Sequence, residues 1–310
     1  MGSEPEVLAL KAVVCYEPSG RFGALAVPLA LAAGIPAAAA VGWLYQWLVD
    51  VVGWIYLNFL ATVFFGGIVG AAVAWGLKAG RCRSVALAAA MGVVCGAAGE
   101  AATFEWSYVR HAAALEEDAR SRGATEQDVA TLRAEFGMSE FVRERVEEGW
   151  RVIGIAKGEG MRLSGAFVWL VWALETLLVA GFATAVAMLP ARAPFCEVCD
   201  AYEPKEDLGR VVSADADALE TAVRTGDLSG VLPVARAVGS GVTAAYTLRA
   251  CPSCGEGGHV TVETSWVVEG KKGKRGKKAR DEVKKKEVLT HAVLTSAQRD
   301  RLRAAFAPRR

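Results

Sequence analysis

Histidine is scarce, three residues in 310. No Ser-His-Asp set, phosphate-cradling P-loop or His-Glu-x-x-His motif is present either, so the usual carriers of acid-base, nucleotide and zinc-protease chemistry are missing. An enzyme is therefore not expected. Net charge is equally slight, 35 Lys plus Arg against 34 Asp plus Glu, which argues against a chain built throughout to hold a polyanion. Seven cysteines, four of them in two Cys-x-x-Cys pairs, do not read as a secreted disulfide framework. No repeat of solenoid length is visible, and no short apolar leader with a small-residue cleavage site is expected. Met1-Gly2 is followed by Glu6 rather than Ser or Thr, so the myristoylation pattern fails.

Apolar residues and glycine are abundant, at 53% and 33 residues, with a mean hydropathy of +0.27. A bilayer core of about 30 Å needs roughly 20 apolar residues in a helix. Four runs meet that length: Phe22 to Leu48, Trp54 to Leu77, Ser84 to Phe104 and Leu163 to Leu189. Pro28 and Pro36 are expected to kink the first. Trp43, Tyr45, Trp47, Trp54 and Tyr56 crowd the first turn, where amphipathic aromatics favour the headgroup level. The segment between the third and fourth runs is too charged to cross. It reads as a helical hairpin with Thr125 and Ser139 as N-caps, Gly137 closing its first helix, and apolar faces at Val129, Leu132 and Phe136 and at Val142, Val146 and Trp150.

The chain therefore divides into an N-terminal segment (1–21), three spans (22–104), an extracytoplasmic hairpin loop (105–162), a fourth span (163–189) and a C-terminal domain (190–310). Lys11, Arg21, Lys78, Arg81, Arg83, Arg192 and Lys205 outnumber Arg110, Arg151, Lys157 and Arg162 across the membrane, which places both termini in the cytoplasm. Free paired cysteines suit that reducing side. In the C-terminal domain, alternation predicts strands at Val242–Ala250, His259–Val268 and Glu287–Leu294 and a helix at Ala218–Arg224. Thr295 and Gln298 have capping-box spacing ahead of Leu302 and Phe306.

The most specific signal is Cys196-Glu-Val-Cys199 with Cys251-Pro-Ser-Cys254-Gly255. Two such turns can supply the tetrahedral sulfur shell that zinc prefers, and iron also accepts four thiolates. The second turn resembles the knuckle of zinc ribbons and rubredoxins, a likeness confined to about ten residues and their flanking strands. It implies structural zinc and backbone amides that reach the sulfurs. Zinc ribbons place their pairs closer together, whereas 51 residues intervene here, so an insertion is expected at Leu208 to Gly241. A redox dithiol is the alternative, one that needs a single pair. His259 reads as a strand residue. Cys15, Cys82 and Cys95 have no partner spacing and read as small apolar residues.

Three further features remain. Lys271, Lys272, Lys274, Arg275, Lys277 and Lys278 open a stretch holding ten cations against three acids between positions 269 and 286. As a hairpin tip this run would meet anionic lipid, nucleic acid or an acidic protein. Glu100 and Glu175 lie in apolar runs, where an ionised carboxylate costs about 2.5–3.5 kcal/mol, and Asn58 is a further intramembrane polar group. Gly66 and Gly70, like Gly92 and Gly96, have the spacing of close helix contacts. The expected fold is an α-helical integral membrane protein of four transmembrane helices with a small α+β zinc-ribbon-like domain. The chain broadly resembles bacterial inner-membrane proteins that carry a cytoplasmic zinc ribbon. That likeness implies a non-enzymatic docking or assembly role in the lipid bilayer. The alternatives are an oligomeric channel or transporter using Glu100 and Glu175, and a membrane-tethered thiol oxidoreductase.

Overall fold

A computed structural model describes residues 14–51, 55–152, 161–213, 242–268 and 282–306. They form two units, one of residues 19–192 and one that joins residues 1–18 to 193–310.

The first unit contains α1 (Ala26–Val51), α2 (Ile55–Ala79), α3 (Val85–Ser121), α4 (Glu126–Glu135), α5 (Met138–Glu148), the short strands β1 (Trp150–Val152) and β2 (Met161–Leu163), and α6 (Ala166–Ala191). Helices α1, α2, α3 and α6 are long and apolar enough to cross a membrane. Helix α1 packs on α2 and α3, and α6 packs on the same two. The interior is built mainly of small residues: Ala30, Ala38, Val69, Val73, Ala183 and Ala187 are almost fully buried, with the larger Phe65 and Leu77 among them. Many large apolar side chains point outward, with Phe64, Trp75, Leu170 and Leu177 each more than 60% exposed. Backbones can approach this closely because both glycine pairs lie at contacts with α6. A Cβ on Gly66 or Gly70 would sit 2.6 Å from the carbonyl oxygen of Val179 or Ala183, and one on Gly96 would sit 2.8 Å from Ala180 Cα.

Several boundaries differ from expectation. Pro28 falls in the first turn of α1, where an amide hydrogen has no intrahelical acceptor, so only Pro36 lies in the helix interior. The third apolar run does not end near Phe104. Helix α3 continues to Ser121, and its 37 residues span about 55 Å, well beyond an apolar core of about 30 Å. Against this extension fold α4 and α5, where Tyr108 and His111 meet the rings of Phe136 and Phe141. Arg133 donates to both carboxylate oxygens of Glu116, at 2.8 and 2.6 Å. Thr125 caps α4 in a reciprocal box with Asp128. Gly137, however, is the N-cap of α5, a place expected for Ser139, and Phe136 closes α4. Trp150 opens β1 rather than ending a helix, and Leu163 pairs with it in β2, so the fourth long helix starts only at Ala166.

In the second unit, β3 (Phe195–Cys196) pairs with β4 (Ala201–Tyr202), and an antiparallel sheet runs in the order β5 (Lys205–Ser213), β6 (Val242–Arg249), β7 (Gly258–Val268), β8 (Glu282–Leu294). Ala244, Tyr246, Leu248, Val260, Val262, Leu289, Ala292 and Leu294 line one face. Helix α7 (Ser296–Phe306) covers it with Leu302 and Phe306. The expected box is present at its start, where Thr295 and Gln298 exchange hydrogen bonds. Val14 and Tyr16 bond to Val293 and His291 beside β8, so the segment preceding α1 and the domain following α6 fold together. Two expectations change. The stretch read as an insertion begins inside β5, an edge strand of the sheet. Lys284 to Lys286 belong to β8, paired with Trp266 to Thr264, because the strand starts five residues before Glu287. The helix expected at 218–224 lies outside the described residues.

The glycine contacts generate a direct test. Gly66→Leu is expected to destabilise the purified full chain by about 1–3 kcal/mol through overpacking. Gly67→Ala, one residue away with nothing within 4 Å of its added carbon, is expected to change stability little. Thermal unfolding followed by circular dichroism compares the two, and equal melting would refute the contact.

Candidate metal centre

The two Cys-x-x-Cys turns are built alike. The first follows the two-residue hairpin arm of β3 and returns through β4, with Phe195 packed edge-on against Tyr202 at 4.9 Å. The second lies between the end of β6 and the start of β7. In each, the sulfur of the first cysteine accepts backbone N–H bonds from the residues two and three positions on: Val198 and Cys199 for Cys196, Ser253 and Cys254 for Cys251. In each, the residue after the second cysteine turns the chain in the left-handed region, Asp200 at φ 49° and Gly255 at φ 64°. Glycine adopts that conformation freely, and Asp is among the few other residues that tolerate it.

The four sulfurs meet. Cys196 Sγ lies 3.5 Å from Cys254 Sγ, and all four atoms are within 4.8 Å of one another. A regular tetrahedron with metal–sulfur bonds of about 2.3 Å has sulfur–sulfur edges of about 3.8 Å. The arrangement thus fits one tetrahedral metal ion such as zinc or iron. Proton affinity is distributed unevenly among the thiols. Backbone hydrogen bonds from Cys254 and Ser253 pull Cys251 down to about 6, whereas hydrogen bonding with Cys251 pushes Cys199 up to about 12, and burial raises Cys196. Such mutual dependence is expected of sulfurs crowded around one point.

Two supports for this centre were not anticipated. Arg299 of α7, only 8% exposed, donates to the carbonyl oxygens of Gly255 and Gly257, clamping the loop behind the second turn. Glu203, 5% exposed, accepts from His259 across 2.6 Å, and its backbone carbonyl accepts from Arg249. His259 lies on β7 and makes this tie rather than joining the cysteines. A Glu at 203 and a His at 259 carry no motif spacing, so only the fold brings them together.

Scans against protein-family models, curated proteins and solved structures found no match to this chain. The likeness to a zinc knuckle therefore rests on the four cysteines and their paired turns.

In the helical unit, Glu175 of α6 accepts a hydrogen bond from the hydroxyl of Tyr45 of α1, which also lies 3.1 Å from Thr62 Oγ1 of α2. Tyr45 is 7% exposed and stacks on Phe65, so it belongs to the bundle interior and not to the aromatic turn where it was expected. Glu175 lies nine residues into α6, about 14 Å along the helix and short of its midpoint. Glu100 of α3, 5% exposed, lies between the contacts of Gly96 with Ala180 and of Phe104 with Trp172, at the level of Glu175 on α6. Asn58 offers its backbone carbonyl to Thr62 at 2.9 Å, and its own side-chain oxygen is buried without a partner. Lys271, Lys272, Lys274, Arg275, Lys277 and Lys278 lie outside the described residues, in the connection between the paired strands β7 and β8. Cys82 and Cys95 are buried and Cys15 is exposed.

Arg299→Lys keeps the charge but loses the forked donors that serve two carbonyls. Removing such outer support typically costs roughly 10–100-fold in metal affinity. With the full chain loaded with zinc, chelator-driven release followed by a metal-sensitive dye is expected to be at least tenfold faster in the variant. Unchanged release would show that the clamp is irrelevant to the metal.

Proposed function

We propose that the chain is an integral membrane protein whose bundle anchors a cytoplasmic docking domain held together by structural zinc. The observation that carries this reading is the meeting of four cysteine sulfurs from two turns of one pattern. Zinc suits it better than a dithiol role, since redox chemistry needs one reactive pair whereas here four sulfurs share one point. Membrane residence is supported by four long apolar helices with many bulky side chains facing outward and mainly small ones facing inward. Residues 14–16 pair beside β8, which suits an even number of crossings with both ends on one side. The positive residues near the helix ends and the reduced cysteine pairs at 196, 199, 251 and 254 favour the cytoplasm of a bacterial inner membrane for that side.

Within this reading the basic run between β7 and β8 is the contact element, and the anionic leaflet is its nearest partner. Each Lys or Arg near such a surface contributes about 1 kcal/mol.

Two measurements test the proposal. Elemental mass spectrometry of the full chain in detergent is expected to find about one zinc per chain, lost when Cys251 and Cys254 become Ser. Absence of metal together with reactive thiols would overturn the zinc-stabilised domain. For the contact element, trypsin cleavage within the run is expected to slow several-fold in nanodiscs of anionic lipid relative to zwitterionic lipid. Equal rates would remove lipid as the partner and direct attention to nucleic acid or an acidic protein.

A further inference from the structure

Polar side chains from the four long helices lie at one level: the Tyr45 hydroxyl of α1 reaches Thr62 of α2 and Glu175 of α6, and Glu100 of α3 sits between the α3–α6 contacts Gly96–Ala180 and Phe104–Trp172, level with Glu175. Their donors are already committed. Tyr45 gives its one hydroxyl proton to Glu175, and Thr62 gives its own to the carbonyl of Asn58. Thr103, one turn beyond Glu100, likewise donates to the carbonyl of Gly99 at 2.9 Å. A hydroxyl has a single proton to give, so none is left for Glu100. Among the described residues, Glu100 Oε1 is fully buried and without a hydrogen-bond partner, and no ion pair reaches either acid. The group is therefore rich in acceptor oxygens and lacks a positive counterpart. A buried charge is retained only when it is paired or coordinates a metal; otherwise it neutralises by taking up a proton.

We infer that Glu100 and Glu175 form a binding site for one hard divalent cation inside the helix bundle, with Tyr45 orienting the Glu175 carboxylate. Two carboxylates and a divalent ion sum to zero charge, the state that low-dielectric surroundings favour. The available donors are all oxygens, which suit magnesium, calcium or manganese and not the soft ions that thiolates prefer. This site is independent of the cysteine centre and of the docking role proposed for it.

Manganese is the probe, since its free aquo ion has a resolved paramagnetic resonance spectrum. The full chain in detergent, with its cysteine centre first saturated with zinc, is titrated with Mn2+ while the free ion is read directly. One Mn2+ bound per chain and displaced by Ca2+ is expected. Glu100→Gln and Glu175→Gln are each expected to weaken binding at least tenfold. Glu126→Gln, on an exposed helix, should leave it unchanged. Tyr45→Phe keeps both carboxylates and should cost roughly tenfold, as outer-shell changes do. Helical circular dichroism reports folding, and Glu100→Asp, which retains the charge on a shorter arm, is expected to weaken binding even if a Gln variant fails to fold. The site is overturned if wild type binds no Mn2+, or if the folded double Gln variant binds it equally. It is also overturned if Mn2+ leaves wild type unchanged while the Gln variants melt higher, because the pair then simply takes up a proton.

Discussion

Everything in the C-terminal unit depends on bringing two cysteine turns, 51 residues apart in sequence, to a single point. Among the described residues, the hydrophobic core there is small, nine well-buried residues between one sheet face and α7. A domain of this size gains much from a staple that ties distant segments together. The turns achieve this because both lie at the same end of the sheet: β4 passes directly to the start of edge strand β5, while the end of β6 and the start of β7 flank the second turn. Once Lys205 pairs with Arg249 at the end of those strands, the sulfurs are brought within bonding range of one ion. Arg299 then links α7 to the same loop, so helix, sheet and metal site share one set of contacts.

The bundle obeys a different constraint. Under the proposed membrane reading, interior and surroundings differ little in apolarity, so close approach of backbones replaces hydrophobic burial as the source of attraction. Glycine supplies that approach at α2 and α3, where both face α6, and the large side chains displaced from the interior cover the outside. A bundle packed so tightly has little room for polar atoms. Among those it holds, Tyr45, Thr62 and Glu175 tie α1, α2 and α6 to one another through the Tyr45 hydroxyl, while Glu100 of α3 is buried beside them.

Legibility in the sequence followed the range of the physics. Four apolar helices were visible because length and hydropathy are local, and Thr125 and Thr295 were visible because capping acts over three residues. The four cysteines were visible because thiolates have few other uses in such pairs. Tyr45 was misplaced because its neighbours Trp43 and Trp47 are about half exposed and it shares their aromatic character. Only the three-dimensional position of Glu175, 130 residues away, turns its hydroxyl inward. The Glu203–His259 tie and the Arg299 clamp were hidden for the same reason, as was β5, whose Lys205-Glu-Asp start carries no apolar alternation. The end of α3 was missed because a helix that leaves an apolar core need not stop there. Glu116, held by Arg133 and Arg120, helps it continue in polar surroundings.

The two clusters offer a cation different chemistry. Four sulfurs beside a sheet, with backbone N–H groups directed at two of them, stabilise thiolates and so favour a soft or borderline ion. Two carboxyls among apolar helices have no such amides, because a helix commits its amide hydrogens to its own carbonyls. Stabilisation of negative charge in the bundle must therefore come from side-chain hydroxyls, a proton or a cation. Tyr45 supplies one hydroxyl, to Glu175 alone, and this asymmetry leaves Glu100 as the acid whose charge is least accounted for.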